Sequence, residues 1–154
     1  MHHCRLTLLL MACALLGACE KPSLIRPPGF AEYADREQGY KAVSPDRVLY
    51  RVRSHDNEEK GDLAFWKIAL KTHMLDSGYL LLEESAITAD AVPGYQLLLA
   101  APVGVMDYNY LIALFVHKSK LVVIEAAGET EYFSKHRESI LQTIRNTAVS
   151  AYVD

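Results

Sequence analysis

Between Tyr108 and Ala127 the chain reads YNYLIALFVHKSKLVVIEAA: two apolar runs, Tyr108–His117 and Lys120–Ala127, with only Lys118 and Ser119 between them. Parallel strands need a crossover of about a dozen residues, so two runs this close pair as an antiparallel hairpin. Leu111 to Val116 and Leu121 to Ile124 are apolar at successive positions. Neighbouring side chains of a strand point to opposite faces, so both faces must be covered. These are central strands of a sheet that carries a layer on each side.

The flanking sequence supplies those layers. Past Gly128 the period turns helical: Phe133, Ile140, Ile144 and Ala148 form a stripe with Leu141 at its edge, while Lys135, Arg137, Glu138 and Arg145 face outward. This predicts a helix over 131–147, with Thr130 as its N-cap and Glu131 near its positive end. Upstream, Tyr79–Glu84 and Gly94–Ala101 read as strands. Before them Leu63, Trp66, Leu70 and Met74 recur at helical spacing, with Phe65 and Ala69 beside them and Lys67 and Lys71 on another face. Asp62 can cap the start of that helix and Gly78 can end it, which places it over 62–76. Earlier still, Lys41–Ser44 and Val48–Arg53 flank the turn Ser44-Pro45-Asp46-Arg47, and Val48, Tyr50 and Val52 share one face of a half-buried strand. The order strand, strand, helix, four strands, helix predicts an α+β fold: an antiparallel sheet of about six strands flanked by two helices.

The N-terminus reads as an address. Arg5 precedes the apolar stretch Leu6–Leu16, which ends in Leu16-Gly17-Ala18-Cys19. The stretch is too short for a membrane-spanning helix, which needs about 20 apolar residues, and it has the layout of a signal peptide. Its last four residues resemble the lipobox of bacterial lipoproteins, in which cleavage precedes the cysteine and the cysteine carries lipid. The resemblance implies a signal peptide over 1–18 and palmitate-type acylation at Cys19, which anchors the domain to a membrane facing the periplasm. Glu20 stands where inner-membrane lipoproteins of enteric bacteria typically carry aspartate, which tilts the expectation towards the outer membrane. Residues 19–39 hold Pro22, Pro27, Pro28 and Gly29 without a burying period and read as a lipidated tether. Some 18 of these residues, extended at about 3.1 Å each, would reach roughly 55 Å. The competing reading of its second half is a strap packed on the domain through Phe30 and Tyr33. Residues 40–154 form the single domain.

A family resemblance covers residues 40 to 148. The element order, the strand pair around Val43-Ser44-Pro45, the strand start at Pro93-Gly94-Tyr95 and the final strand ending Glu125-Ala126-Ala127 are similar to the PsbP-like fold, a group that includes DcrB-like envelope lipoproteins. That resemblance implies a noncatalytic accessory or binding role and brings no catalytic set with it.

Composition narrows the function classes. The 154 residues carry 16 basic and 19 acidic side chains for a net charge of −3, so no basic surplus is present to neutralise a nucleic-acid backbone. Of the three cysteines, Cys4 and Cys13 lie in the leader and Cys19 is the lipid site, so the domain holds neither a disulfide nor a thiolate metal centre. His55, Asp56, Glu58, Glu59 and Asp62 crowd one loop but lack calcium-loop spacing, and His73, His117 and His136 lack zinc spacing. None of Ser44, Ser77, Ser85, Ser119 and Ser134 sits in a G-x-S-x-G turn, and Gly104 lies outside any glycine-rich phosphate loop. We therefore expect no catalytic residues, no cofactor and no metal.

The aromatic residues point to contact. Tyr108 and Tyr110 are two apart in a strand, hence on one face, with Tyr95 and Tyr50 as expected neighbours and the Val103–Met106 loop alongside. They form either an apolar-plus-hydroxyl contact surface for a protein or small ligand, or core positions with hydroxyls at the rim. The leading expectation is a membrane-anchored, protein-binding accessory lipoprotein. Two other readings stay open: a carrier of a small apolar ligand held between sheet and helix beneath Trp66, and a hydrolase with an unrecognised Ser or Glu site.

Overall fold

The computed structural model describes residues 26–32, 39–103 and 106–153. The leader, Cys19, Tyr33 and the residues Gly104 and Val105 lie outside the described residues. The elements are β1 Ala31–Glu32, β2 Tyr40–Val43, β3 Leu49–Asp56, α1 Leu63–Asp76, β4 Leu80–Ala89, β5 Val92–Val103, β6 Met106–His117, β7 Lys120–Glu129, α2 Thr130–Arg145 and a terminal 3-10 turn, Val149–Val153. The strands form one seven-stranded sheet in the order β1-β2-β3-β7-β6-β5-β4, and every neighbouring pair is antiparallel. The α+β expectation holds, with one strand more than the six expected.

The β6–β7 hairpin sits at the centre as its sequence requires. Register runs from Tyr108 opposite Glu129 to His117 opposite Lys120, around a tight turn in which Lys118 adopts φ 50°. The β2–β3 hairpin closes on Ser44: its carbonyl accepts from the Arg47 amide at 3.0 Å and its hydroxyl accepts from the Val48 amide at 3.0 Å. Val48, Tyr50 and Val52 are buried, as their alternation predicted.

The two faces differ. One face, carrying Tyr50, Val52, Leu98, Leu111, Ala113, Val122, Ile124 and Ala126, is sealed by Phe133, Ile140 and Ile144 of α2 and by Val149. On the other, Met74 of α1 packs with Tyr95, Leu97, Leu99 and Ile112, and Leu63 and Leu70 close over them. The helix packs mainly on β5 and β6. The opposite half of that face, along β2, β3 and the end of β7, is where the candidate site lies.

Three local expectations are corrected. Thr130 is not the N-cap of α2: Glu129 occupies that position, and the Thr130 hydroxyl instead donates to the Asp107 carbonyl at 3.0 Å, tying the helix start to β6. Phe65 does not join the buried stripe of α1 but is 50% exposed on its outer side. The strands expected over Tyr79–Glu84 and Gly94–Ala101 are longer, because Asp90 and Ala91, at φ 49° and 59°, make a two-residue hairpin turn without glycine. The packed unit also begins before residue 40. Phe30 is buried, stands edge-on to His136 with centroids 5.2 Å apart, and leads into β1, which pairs with β2. The Phe30–Glu32 end of the expected tether is thus a strap on the domain.

Candidate functional site

Alternation along the strands fixes which side chains meet on the half-open face. In the register Lys41↔Arg51↔Glu125↔Ile112, each residue lies directly across from the next, so all four point to the same side. Leu49, Ala127 and Tyr110 form the adjacent row. Lys41, Leu49, Arg51, Tyr110, Glu125 and Ala127 of these rows line a cavity of about 190 Å³.

Glu125 is the centre of this niche. A carboxylate in the middle of an apolar strand must be paired, because removing a charge from water costs several kcal/mol. Its Oε2 accepts from Arg51 Nε at 3.0 Å and from Arg53, whose guanidinium approaches to 2.8 Å, and its Oε1 accepts from the Tyr110 hydroxyl. Burial alone would raise the Glu125 carboxyl; the Tyr110 hydroxyl and the two guanidiniums outweigh it and hold it below the ordinary carboxylate value. Burial and the same hydrogen bond push the Tyr110 hydroxyl well above its usual range, so it stays protonated and donates. The Tyr79 ring lies against Tyr110 at 5.6 Å. Five side chains thus fix one another's rotamers, and Leu49, 46% exposed, stands beside them.

The expected residues divide accordingly. Tyr108 and Tyr110 share a face, with Tyr108 half-buried opposite Ala101 and Glu129. Tyr95 is on that face too, but deeper under α1, where its hydroxyl donates to Glu84 and its ring lies beneath Lys67 Nζ at 4.8 Å. Tyr50 is not their neighbour: it points to the α2 face, opposite Ala126. Cys19 lies outside the described residues.

Sequence reasoning missed Arg51, Arg53 and Glu125 as a unit. The signal was present in the alternation Arg51-Val52-Arg53 and in one acid within Leu121–Ala127, but only the register shows that they converge.

The acidic stretch at the end of β3 has structural partners. Asp56 pairs with Lys120 at 2.8 Å, and Asn57 is buried and binds the Gly61 backbone and Trp66. Among the described residues no three His, Cys, Asp or Glu side chains converge as metal ligands, and no helix is long and apolar enough to cross a membrane.

A seven-stranded antiparallel sheet with a helix on each face defines an α+β protein, and its fold is that of PsbP-like structures. LpqN of Mycobacterium tuberculosis, described as involved in cell envelope biogenesis, superposes with a TM-score of 0.62 at 13% identity, over 79% of this chain and 78% of its own. A Pseudomonas aeruginosa protein of unknown function, PA94, gives 0.55 at 11% identity, over 75% and 94%. The cyanobacterial PsbP of Synechocystis gives 0.53 at 15% identity, over 77% and 80%. At these identities the likeness is one of fold. No family model matches the chain, and no curated protein matches it in sequence.

Proposed function

We propose that the protein is a noncatalytic accessory module of the bacterial cell envelope, anchored by lipid on Cys19, facing the periplasm from the outer membrane, and binding a protein partner through the niche on its half-open sheet face. The observation that carries this reading is the exposed Leu49 set beside side chains already locked in place by Glu125. Arginine and tyrosine are the residues that most often anchor protein interfaces, and a rim held rigid before binding loses little entropy on contact. The partner places an apolar side chain over Leu49 and Ala127, against the Tyr110 and Arg51 rim. Glu125, Arg51 and Arg53 are engaged with one another, an arrangement suited to holding a surface and not to passing protons. The envelope setting draws on the lipobox and on the involvement of LpqN in cell envelope biogenesis.

The lipid anchor sets the mechanism: confinement near the membrane raises the effective concentration of the domain, so a small interface suffices. Affinity capture with the mature chain from solubilised envelopes tests it. One envelope protein should be retained by the wild type and by the distant surface variant Gln142→Glu, and lost with Leu49→Glu. Equal retention by all three would refute the niche, and a mature N-terminus without lipid on Cys19, by mass spectrometry, would refute the anchoring. The carrier reading is less well supported, since Met74, Leu97, Leu99 and Ile112 pack the layer between α1 and the sheet.

A further inference from the structure

A sheet has two edges, and here they differ. At one, β1 is only two residues long and the neighbouring Phe30 is buried. At the other, β4 runs for ten residues, and among the described residues no strand pairs with its outer side. Natural edge strands are closed by shortness, by proline, by charged side chains or by a bulge. β4 has such devices only in its first half: a bulge between Leu81 and Glu83, then Glu83 and Glu84, whose carboxylates pair with Arg137 of α2 and Lys71 of α1. Ser85–Ala89 carries none of them.

Register fixes which backbone groups face outward. Asp90 and Ala91 make a two-residue turn, so Ala89 and Val92 exchange hydrogen bonds, and by alternation Ile87 bonds Gly94 and Ser85 bonds Gln96. Counting from the β6–β7 turn gives the same answer: His117 and Phe115 bond β7, so Leu114 bonds Tyr95 and leaves Gly94 to bond Ile87. Glu84, Ala86 and Thr88 therefore turn their N–H and C=O groups away from β5, and all three residues are exposed. Beside them α1 overhangs the sheet. Its Leu63, Ala64 and Lys67, with Gly94 and Tyr95 of β5, line a groove of about 380 Å³ that reaches Ala86, the middle one of the three.

We infer that this edge takes an extended segment of a partner protein as an eighth strand, paired to Glu84, Ala86 and Thr88. Outward N–H and C=O groups at every second residue are matched by another extended backbone, which supplies donors and acceptors at the same spacing. The groove sets the side-chain chemistry: the segment's residue beside Ala86 on the α1 side is apolar, and its neighbours alternate between the α1 and α2 sides. The edge lies across the sheet from the niche and needs neither the niche nor the lipid anchor, so the two surfaces are tested apart.

The test is selection of a phage-displayed library of random decapeptides on the mature chain, followed by synthesis of the enriched peptide. Enriched sequences should carry apolar residues at alternate positions, and the peptide should slow amide hydrogen exchange at Glu84, Ala86 and Thr88, whereas the Ser85 and Ile87 amides are already slow without it. Ala86→Pro removes one outward N–H and leaves the β4–β5 ladder whole, which thermal unfolding verifies; it should weaken binding about tenfold. Methylating the peptide nitrogen that pairs with the edge should weaken binding to the wild-type chain by about the same factor, so the result does not hang on one variant. Leu49→Glu should leave binding unchanged. No enriched peptide, peptides that protect none of the three amides, peptides lost with Leu49→Glu, or a chain that doubles its own mass through this edge and returns to monomer with Ala86→Pro would overturn the inference.

Discussion

Tyr110 on β6 donates its hydroxyl hydrogen bond to Glu125 on β7, and Arg51 and Arg53 on β3 hold the same carboxylate from the other side. One acid thereby ties three strands on the face that α1 leaves half open. Glu125→Gln keeps the shape but removes the charge, leaving two guanidiniums around a neutral amide. Breaking a buried pair costs about 3–5 kcal/mol, reduced here because the arginines are about a third exposed, so a loss of about 2 kcal/mol is expected. Tyr110→Phe removes one hydrogen bond to a charged acceptor and should cost about 1.5 kcal/mol. Urea unfolding of both single variants and the double variant measures this; because they share the carboxylate, the two losses should not add.

The same carboxylate sets a pH dependence. Its folded-state value is held below the ordinary 4.5. As pH falls through that ordinary value the unfolded chain takes up a proton while the folded one stays charged, so the unfolded state binds more protons and stability drops. The contribution is complete above the ordinary value and gone once pH passes below the folded one. Glu84, held down by the Tyr95 hydroxyl and Lys71, adds to the trend in the same direction. Comparison with Glu125→Gln isolates the niche: the stability gap between the two proteins should be constant near neutral pH and shrink below about pH 4.5. A gap that stays constant down to pH 3 would contradict the pairing.

What could be read from the chain, and what could not, follows a physical line. The Tyr108–Ala127 hairpin, the Asp62 cap and the Gly78 helix end are local signals, and each is realised: the Asp62 carboxylate accepts from the Phe65 amide at 2.8 Å, and Gly78 takes φ +88°. The β4–β5 turn was hidden because Asp90 and Ala91 adopt positive φ without glycine. The Phe30 strap could be read only as the alternative to a tether, because a two-residue strand has no period to decide between them. The niche was half legible. The shared face of Tyr108 and Tyr110 follows from a spacing of two, but the partners of Tyr110 lie on β3 and β7, and strand order cannot be counted from one sequence.

Gly94 is an extended β5 residue directly opposite Phe115, with no positive φ to excuse it. Its role is space: a Cβ there would lie 2.4 Å and 2.5 Å from two ring carbons of Phe115 and 2.8 Å from the Leu114 carbonyl oxygen. The ring is fully buried and the oxygen belongs to the sheet, so neither can yield without repacking. Gly94→Ala should cost about 3 kcal/mol, the upper end of ordinary overpacking. Pairing it with Phe115→Leu should recover part of that loss, as chemical denaturation would record; no recovery would place the strain at the backbone.

Asn57 is the polar residue whose removal should be most visible, because the only tryptophan reports it. Its side-chain oxygen accepts from the Gly61 amide at 3.1 Å and from Trp66 Nε1 at 2.9 Å, and its amide nitrogen donates to the Gly61 carbonyl at 2.8 Å. Its own backbone amide donates to the Ser119 carbonyl at 2.8 Å, so one buried residue joins the β6–β7 turn through its backbone to Gly61 and α1 through its side chain. Asn57→Ala strands an indole N–H and two backbone groups at once; with partial rescue by water, a loss of about 2–3 kcal/mol is expected. Asn57→Asp keeps the two accepted bonds but sets a carboxylate against the Gly61 carbonyl. It should therefore destabilise while leaving the Trp66 emission closer to wild type than the alanine variant does. If both variants shifted the emission equally, the indole would be held by its packing against Phe65 and not by Asn57.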